Sequence, residues 1–405
     1  MDYISHKVFA SINKLSNWIN NYGLNGYDPY DIKSLPWIIY LVSKSKKSKF
    51  LSVIRELVFE FFYCFPTFSR KIFNIKPQMN AKAMGLFATS YLDLYKYSDD
   101  KANIEKANQC LDWLLNNKAL TSTGYGWGYP FDWQSTEFIP KNTPNGIVTT
   151  VIGDAFWNFY KFSNDQKYLN SVVEIARFLY SLPIDKINNE QICFSYTPLF
   201  SNHVHNLNLF VAEFLIKTGI EIEEKEWINA GNKAVNYTVS NQLQNGAFDY
   251  NGPPEKPANY IDHYHTGFIL RMLHSIWKLT NREDIFIALE KGFRFYMNFM
   301  FENETIPKLK PDKKYRIDIH SCAESINCLT VLSDTFPEAK SRAEKVLDWT
   351  IKNLQDDTGY FYYGILKNRL FGYHFKSKIP YIRWGQAWMM KALSNYLLTT
   401  HRQEF

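Results

Sequence analysis

A unit of polar-faced helix, glycine turn and apolar helix recurs through this chain. Repetition of that kind limits it to an open solenoid or a closed ring of helical hairpins. The polar-faced helices begin near Ala107, Val172, Gly231, Ala288 and Ala343. Three of them run into a glycine followed by aromatics, at Gly126-Trp127, Gly246-Ala247-Phe248 and Gly359-Tyr360-Phe361. Glycine just beyond a helix is a natural C-terminal stop. Between these lie helices starting near Asn80, Asn145, His203, Asp262, Asp318 and Tyr381, at intervals of roughly 60 residues, one hairpin plus a loop. This second set is apolar nearly all round, as buried helices are. The first set carries the lysines and glutamates of a surface layer.

Six inner and five outer helices predict an all-α protein, an α/α toroid of six hairpins with inner and outer layers. No polar capping repeats stand at the ends, so closure is favoured over a solenoid. The expected plan is one domain over residues 1–405. In it, residues 1–35 form an N-terminal extension packed on the ring, and residues 36–65 form the outer helix that closes it.

In such a ring the inner helices run parallel, so their N-termini meet at one mouth. His203, His205, His263, His265 and His320 fall at those starts, and His374 falls in the loop before the last, six of the nine histidines. Asn145, Asn202, Asp262, Asp318, Arg383, Trp384 and Gln386 gather there too. The aromatics Trp127, Trp133, Tyr196, Phe248 and Tyr362 wall the same mouth. A polar funnel with aromatic walls is the form of a ligand site. Asp262 and Asp318 also stand where helix N-caps belong.

Composition narrows the ligand. Aromatic residues make up 17% of the chain, which suits flat sugar faces as well as core. A net charge of +6 is too small for a nucleic-acid footprint, so no nucleic-acid partner is expected. The five cysteines form no CxxC pair, and neither a disulfide framework nor a zinc ribbon is expected. With no recognisable leader and no apolar run long enough to span a bilayer, the expected location is the cytoplasm. The segment "SKSKKSK" (Ser43–Lys49) precedes an amphipathic stretch. It serves either as a solvated turn or as a peripheral contact of Lys44–Lys49 with an anionic inner leaflet, where lipid-linked glycans are built.

The architecture resembles the α/α toroids: six-hairpin glycosidases with their related uronate lyases and epimerases, and terpenoid cyclases with protein prenyltransferases. "IRWGQAW" (Ile382–Trp388) is similar to the Arg-Gly-Gln-Ala-Trp stretch of unsaturated glucuronyl hydrolases, which implies that Arg383, Trp384 and Gln386 contact substrate. Trp384 stands between Arg and Gly here, a departure from that pattern. "NGYDPYD", "DHYHTGF" and "DIHSCAESI" together resemble toroid proteins of bacterial surface-polysaccharide biosynthesis. "YHTGFILRML" is similar to the zinc-ligating segment of prenyltransferase β-subunits, with Asp318, His320 and Cys322 placed after the histidine rather than before it.

Three functions follow as expectations. One is an enzyme acting on an acidic or complex surface glycan, with no cofactor. Asn202, His203, His205, Tyr264, His265 and Arg383 would neutralise a carboxylate and move the proton beside it, as lyases and epimerases require, with His263 and His320 as further catalytic candidates. Alternatively, Asp262, Asp318 and Asp154, the last placed one turn into another inner helix, would supply a hydrolase pair. Substrate contacts would come from Asn145, Asp154, Trp127, Trp133, Tyr196, Asn202, His203, Trp384, Gln386 and His374. The second is a zinc-dependent enzyme of prenyltransferase shape, for which His263, His265, His320 and Cys322 offer the ligand types zinc prefers. The third is a non-catalytic glycan-binding scaffold.

Overall fold

The computed structural model describes residues 3–134, 137–368 and 371–403, so the first two residues of the expected N-terminal extension lie outside it. Six helices form the inner layer: α5 (Ala81–Ser98), α7 (Gly146–Ser163), α9 (His205–Glu221), α11 (His263–Thr280), α13 (Ile319–Leu332) and α15 (Trp388–Gln403). Each packs on the next, and α15 packs back on α5, which closes the ring. Outside them stand α6 (Lys101–Asn116), α8 (Gln166–Tyr180), α10 (Lys225–Ser240), α12 (Glu283–Phe299) and α14 (Glu338–Leu354). The fold is an α/α toroid.

The inner helices are enclosed because their apolar residues leave no polar face. In α5 every residue from Ala81 to Leu94 is buried. The outer helices bury one stripe each; α8 hides Leu169, Val172, Ile175, Ala176 and Leu179. The inner-to-outer turns are short and alike. Asp99, Asn164 and Asn281 each adopt left-handed backbone at the C-terminus of an inner helix, with φ of 55°, 58° and 57°. Asn and Asp tolerate that region best after glycine. The turns after the outer helices use glycine itself. Gly246 and Gly359 sit at φ +89° and +114°, where a Cβ would lie 2.4 Å from the Lys291 carbonyl and 2.2 Å from that of Lys14.

The ring closes differently from expectation. The sixth outer helix is α1 (Tyr3–Tyr22), packed on α14 and α15. Its sparse stripe of Val8, Ile12, Leu15, Trp18 and Ile19 has helical spacing and is buried. Residues 36–65 are not one outer helix. They form α2 (Pro36–Ser45) and α3 (Lys49–Cys64), and α4 (Pro66–Ile72) follows. The Ser-Lys turn interrupts the first pair and Pro66 opens a new helix. The apolar run at 36–65 suggested ring packing, but much of it lies on the surface. No helix among the described residues is long and apolar enough to cross a membrane.

Candidate functional site

Helix capping sets out the mouth. Asn80, Asn145, Asp262 and Asp318 cap α5, α7, α11 and α13, each accepting backbone N–H bonds with its side chain. Asp262 does more than cap. One carboxylate oxygen accepts the His265 N–H at 2.9 Å and the other lies 2.6 Å from His265 Nδ1. The carboxylate therefore holds the proton on Nδ1 and leaves Nε2 as the lone-pair nitrogen. Asp318 plays the matching part across the mouth. It accepts the His320 N–H and the Trp384 indole N–H, both at 2.8 Å. Trp384 then stacks on His320, with ring centroids 4.4 Å apart, and its carbonyl lies 3.3 Å from His320 Nδ1. His320 thus also turns Nε2 away from the carbonyl that meets Nδ1. Burial, with Lys82 and Arg383 nearby, keeps its imidazole well below the ordinary titration range.

A cavity of about 110 Å³ opens between these groups. Tyr264, His265, His320, Arg383 and Trp384 line it, with Trp133 and Tyr196 on the opposite wall. Tyr264 lies between the two imidazoles, 4.4 Å from His265 and 4.8 Å from His320. Tyr30, Lys82, Tyr129, Phe131, Ile147, Asn206, Tyr250 and Phe268 complete the lining, which among the described residues holds no carboxylate. Arg383 reaches the cavity but is held by Asp28 through bonds of 2.5 and 2.8 Å, which accounts for the aspartate in "NGYDPYD".

Lys82 was not singled out by sequence. It is 3% exposed, and among the described residues its amine makes no hydrogen bond or ion pair. The amine rests on the rings of Trp388 and Phe268 at 5.2 and 5.9 Å. Burial, reinforced by the Arg383 guanidinium, holds it well below the ordinary lysine range. Its signal was visible: it is a charged residue in the first turn of a helix whose residues from Ala81 to Leu94 are all buried.

The other candidates lie elsewhere or hold the frame. His263 spends both ring nitrogens on structure, Nδ1 at 3.0 Å from the Lys308 carbonyl and Nε2 at 2.7 and 2.6 Å from the Tyr296 and Ser325 hydroxyls. That geometry also takes it out of a zinc set with His265, His320 and Cys322. His205 is 1% exposed against Tyr237 and Phe248. Burial pushes His205 and His263 down to about 4. His203 bridges a strand and a loop through Asp185 at 2.7 Å and Glu255 at 3.1 Å. His374 is exposed on a strand and stacks on Tyr315. Asn202 accepts the Tyr196 N–H, and Trp127 donates its indole N–H to the Leu114 carbonyl inside the core. Tyr362 donates to Asp356. Gln386 pins both backbone groups of Phe361 at 2.8 Å instead of meeting ligand. Asp154 sits deeper in α7 than one turn and faces a different cavity.

That second cavity, about 340 Å³, lies at the other end of the inner helices, lined by Asp154, Trp157, Phe210, Glu213, Lys217, Arg271, Ser275 and Trp388 among others. Ring contacts of Phe268 with Phe210 and with Trp388, both at 5.4 Å, form the floor between the two. The larger cavity is thus the one without the histidines.

Several solved structures share this architecture. An unsaturated glucuronyl hydrolase specific for heparin aligns over 100% of this chain and 98% of its own, with a TM-score of 0.64 and 12% identity. A cellobiose 2-epimerase from Bacillus thermoamylovorans aligns over 80% of this chain and 88% of its own, at 0.62 and 11%. An alpha-mannanase from Bacteroides thetaiotaomicron aligns over 80% and 87%, at 0.59 and 11%. No protein-family model and no curated protein matches the sequence. At such identities the likeness establishes the toroid fold.

Proposed function

We propose that this protein is a carbohydrate-active enzyme that moves a proton on an acidic sugar of a surface glycan, as a uronate epimerase or lyase. The observation that carries this reading is the pairing of two oriented histidines with an unpartnered buried amine in a cavity whose lining has no carboxylate. Hydrolysis by a carboxylate pair needs both groups at the substrate. Asp262 and Asp318 instead orient His265 and Trp384.

The chemistry follows from the groups present. The uronate carboxylate enters beside Lys82 and takes the place of its missing partner. Lys82 is then protonated, and the neutralised carboxylate acidifies the adjacent C5–H. His320, kept neutral, accepts that proton at Nε2. The electron pair moves into the carboxyl group, and Lys82 holds the developing charge. In epimerisation His265, its Nδ1–H held by Asp262, takes up a proton from solvent at Nε2 and delivers it to C5. In elimination the pair instead expels the oxygen at C4. No electrons are gained or lost overall. The aromatic walls, Trp133, Tyr196 and Trp384, supply faces for the sugar ring. The glucuronyl hydrolase among the similar structures, and the resemblance to surface-polysaccharide proteins, support this substrate class.

The test is incubation with uronate-containing oligosaccharides in deuterated water. Deuterium at C5 supports epimerisation, and new absorbance from an unsaturated sugar supports elimination. Reducing ends released without either signal would show hydrolysis and overturn the proposal. Unchanged biological output from His265→Ala would favour a glycan-binding scaffold.

A further inference from the structure

Helices α2–α4 stand apart from the rest of the toroid in what they leave uncovered. Their own core is three residues, Ile32, Ile38 and Phe62. Of the sixteen residues of α3, only Glu60 and Phe62 are buried. Phe50, Val53, Leu57 and Phe61, spaced by three, four and four, form one apolar helix face, exposed by 73, 59, 50 and 38%. Phe65, Phe68 and Ile72 continue it, each more than half exposed. Large apolar side chains seldom collect on a free surface in this way.

Charge says what covers the face. From residue 36 to 76 the chain has six Lys and two Arg against two Glu and no Asp. Lys44, Lys46, Lys47 and Lys49 are exposed at the turn that leads into the apolar face. A second copy would bring a second set of lysines with no acidic counterpart on this unit. An anionic lipid surface supplies both halves of the complement, acyl chains for the phenylalanines and phosphates for the lysines.

We propose that α2–α4 dock this protein on an anionic lipid bilayer, with the apolar face of α3 and α4 entering the interface and the Lys44–Lys49 turn meeting the phosphates. The unit is fastened to the mouth of the toroid. Arg70 of α4 pairs with Asp31 at 2.6 Å and donates to the Asp28 carbonyl at 2.8 Å, and Asp28 holds Arg383 of the cavity. Lys33 lies over the rings of Tyr30, which lines the cavity, and of Phe59 in α3. Docking therefore holds the cavity near the lipid surface, where a lipid-linked saccharide presents its sugars. That last step rests on the proposed sugar chemistry; the docking does not.

Vesicle flotation of the full chain tests it. The protein floats with vesicles of equal phosphatidylcholine and phosphatidylglycerol and stays behind with phosphatidylcholine alone. Phe50→Ser/Leu57→Ser/Phe68→Ser lowers the bound fraction at least about tenfold, as does Lys44→Gln/Lys46→Gln/Lys47→Gln/Lys49→Gln. All seven positions are exposed, so circular dichroism stays that of the parent. Absence of flotation at low salt overturns the proposal, as does flotation that survives both variants. A dimer that the serine variant dissolves, without vesicle binding by the parent, assigns the face to a second copy and overturns it as well. Deuterium exchange on soluble oligosaccharides is unaffected by any of these outcomes, so the two readings fail separately.

Discussion

Two buried lysines lie at opposite ends of the toroid axis and meet opposite surroundings. Lys217, 7% exposed, lies between Asp154 at 2.5 Å and Glu213 at 3.0 Å. Desolvation alone would lower its amine, yet the two carboxylates outweigh it and the group titrates above the ordinary lysine range. Lys82, 3% exposed, has no such partner and titrates well below it. Around Lys217 the other charges are also matched, Arg271 with Glu324 at 2.6 Å and Lys391 with Asp93 at 2.8 Å. A network that satisfies itself is structure. A buried amine left open beside two oriented histidines is a place for a ligand, although its cavity is the smaller one.

The comparison breaks most sharply at His265. His265→Gln should lower kcat on a uronate substrate by about 10²–10⁴-fold, the range of a positioned acid or base, with little loss of stability. The corresponding change at the other end, Glu213→Gln, should leave kcat within about twofold; an equal loss at both ends would erase the distinction between them.

Lys217→Met should reverse the pattern. It strands two carboxylates, and removing one member of a buried charge set costs about 3–5 kcal/mol, read by denaturant unfolding. Turnover per folded molecule should persist.

The histidines extend the contrast to pH. His205 and His263 are held neutral, at about 4, while an unfolded chain takes up protons near 6.5. Between those values the unfolded state binds more protons, so stability falls as pH drops through the window. Each histidine should account for about 3 kcal/mol between pH 7.5 and pH 4, and His205→Gln should flatten the slope of unfolding free energy against pH.

Lys82→Met gives the smallest stability effect, of the opposite sign. Replacing an unpartnered buried amine with an apolar chain of similar length should raise stability by about 1 kcal/mol while abolishing carboxylate recognition. A destabilised Lys82→Met protein would mean that the amine already has a partner.

Much of the fold could be read from the chain because its cause is local. Apolar residues on all sides of α5, α9 and α13 force burial, and caps such as Asn145 and Asp262 mark where inner helices begin. Of the histidines expected at those starts, His265 and His320 line the cavity. Residues 36–65 misled because hydrophobicity predicts that a surface wants a partner, not which partner it finds. The modest stripe of α1 packs on α14 and α15, whereas the richer one of α3 stays open.

Within the site the division is the same. Residue types and helix starts, which are properties of the sequence alone, were enough to bring Tyr264, His265, His320, Arg383 and Trp384 to one mouth. Which histidine is free was decided by tertiary structure, because His263 and His265 differ by one helical step of two residues. That step turns one ring to Tyr296 and Ser325 and the other to Asp262 and the cavity. Lys82 became exceptional only when the packed inner helices withheld a partner from it. Desolvation and hydrogen-bond satisfaction arise from neighbours distant in sequence, and the ring had to close before either could be known.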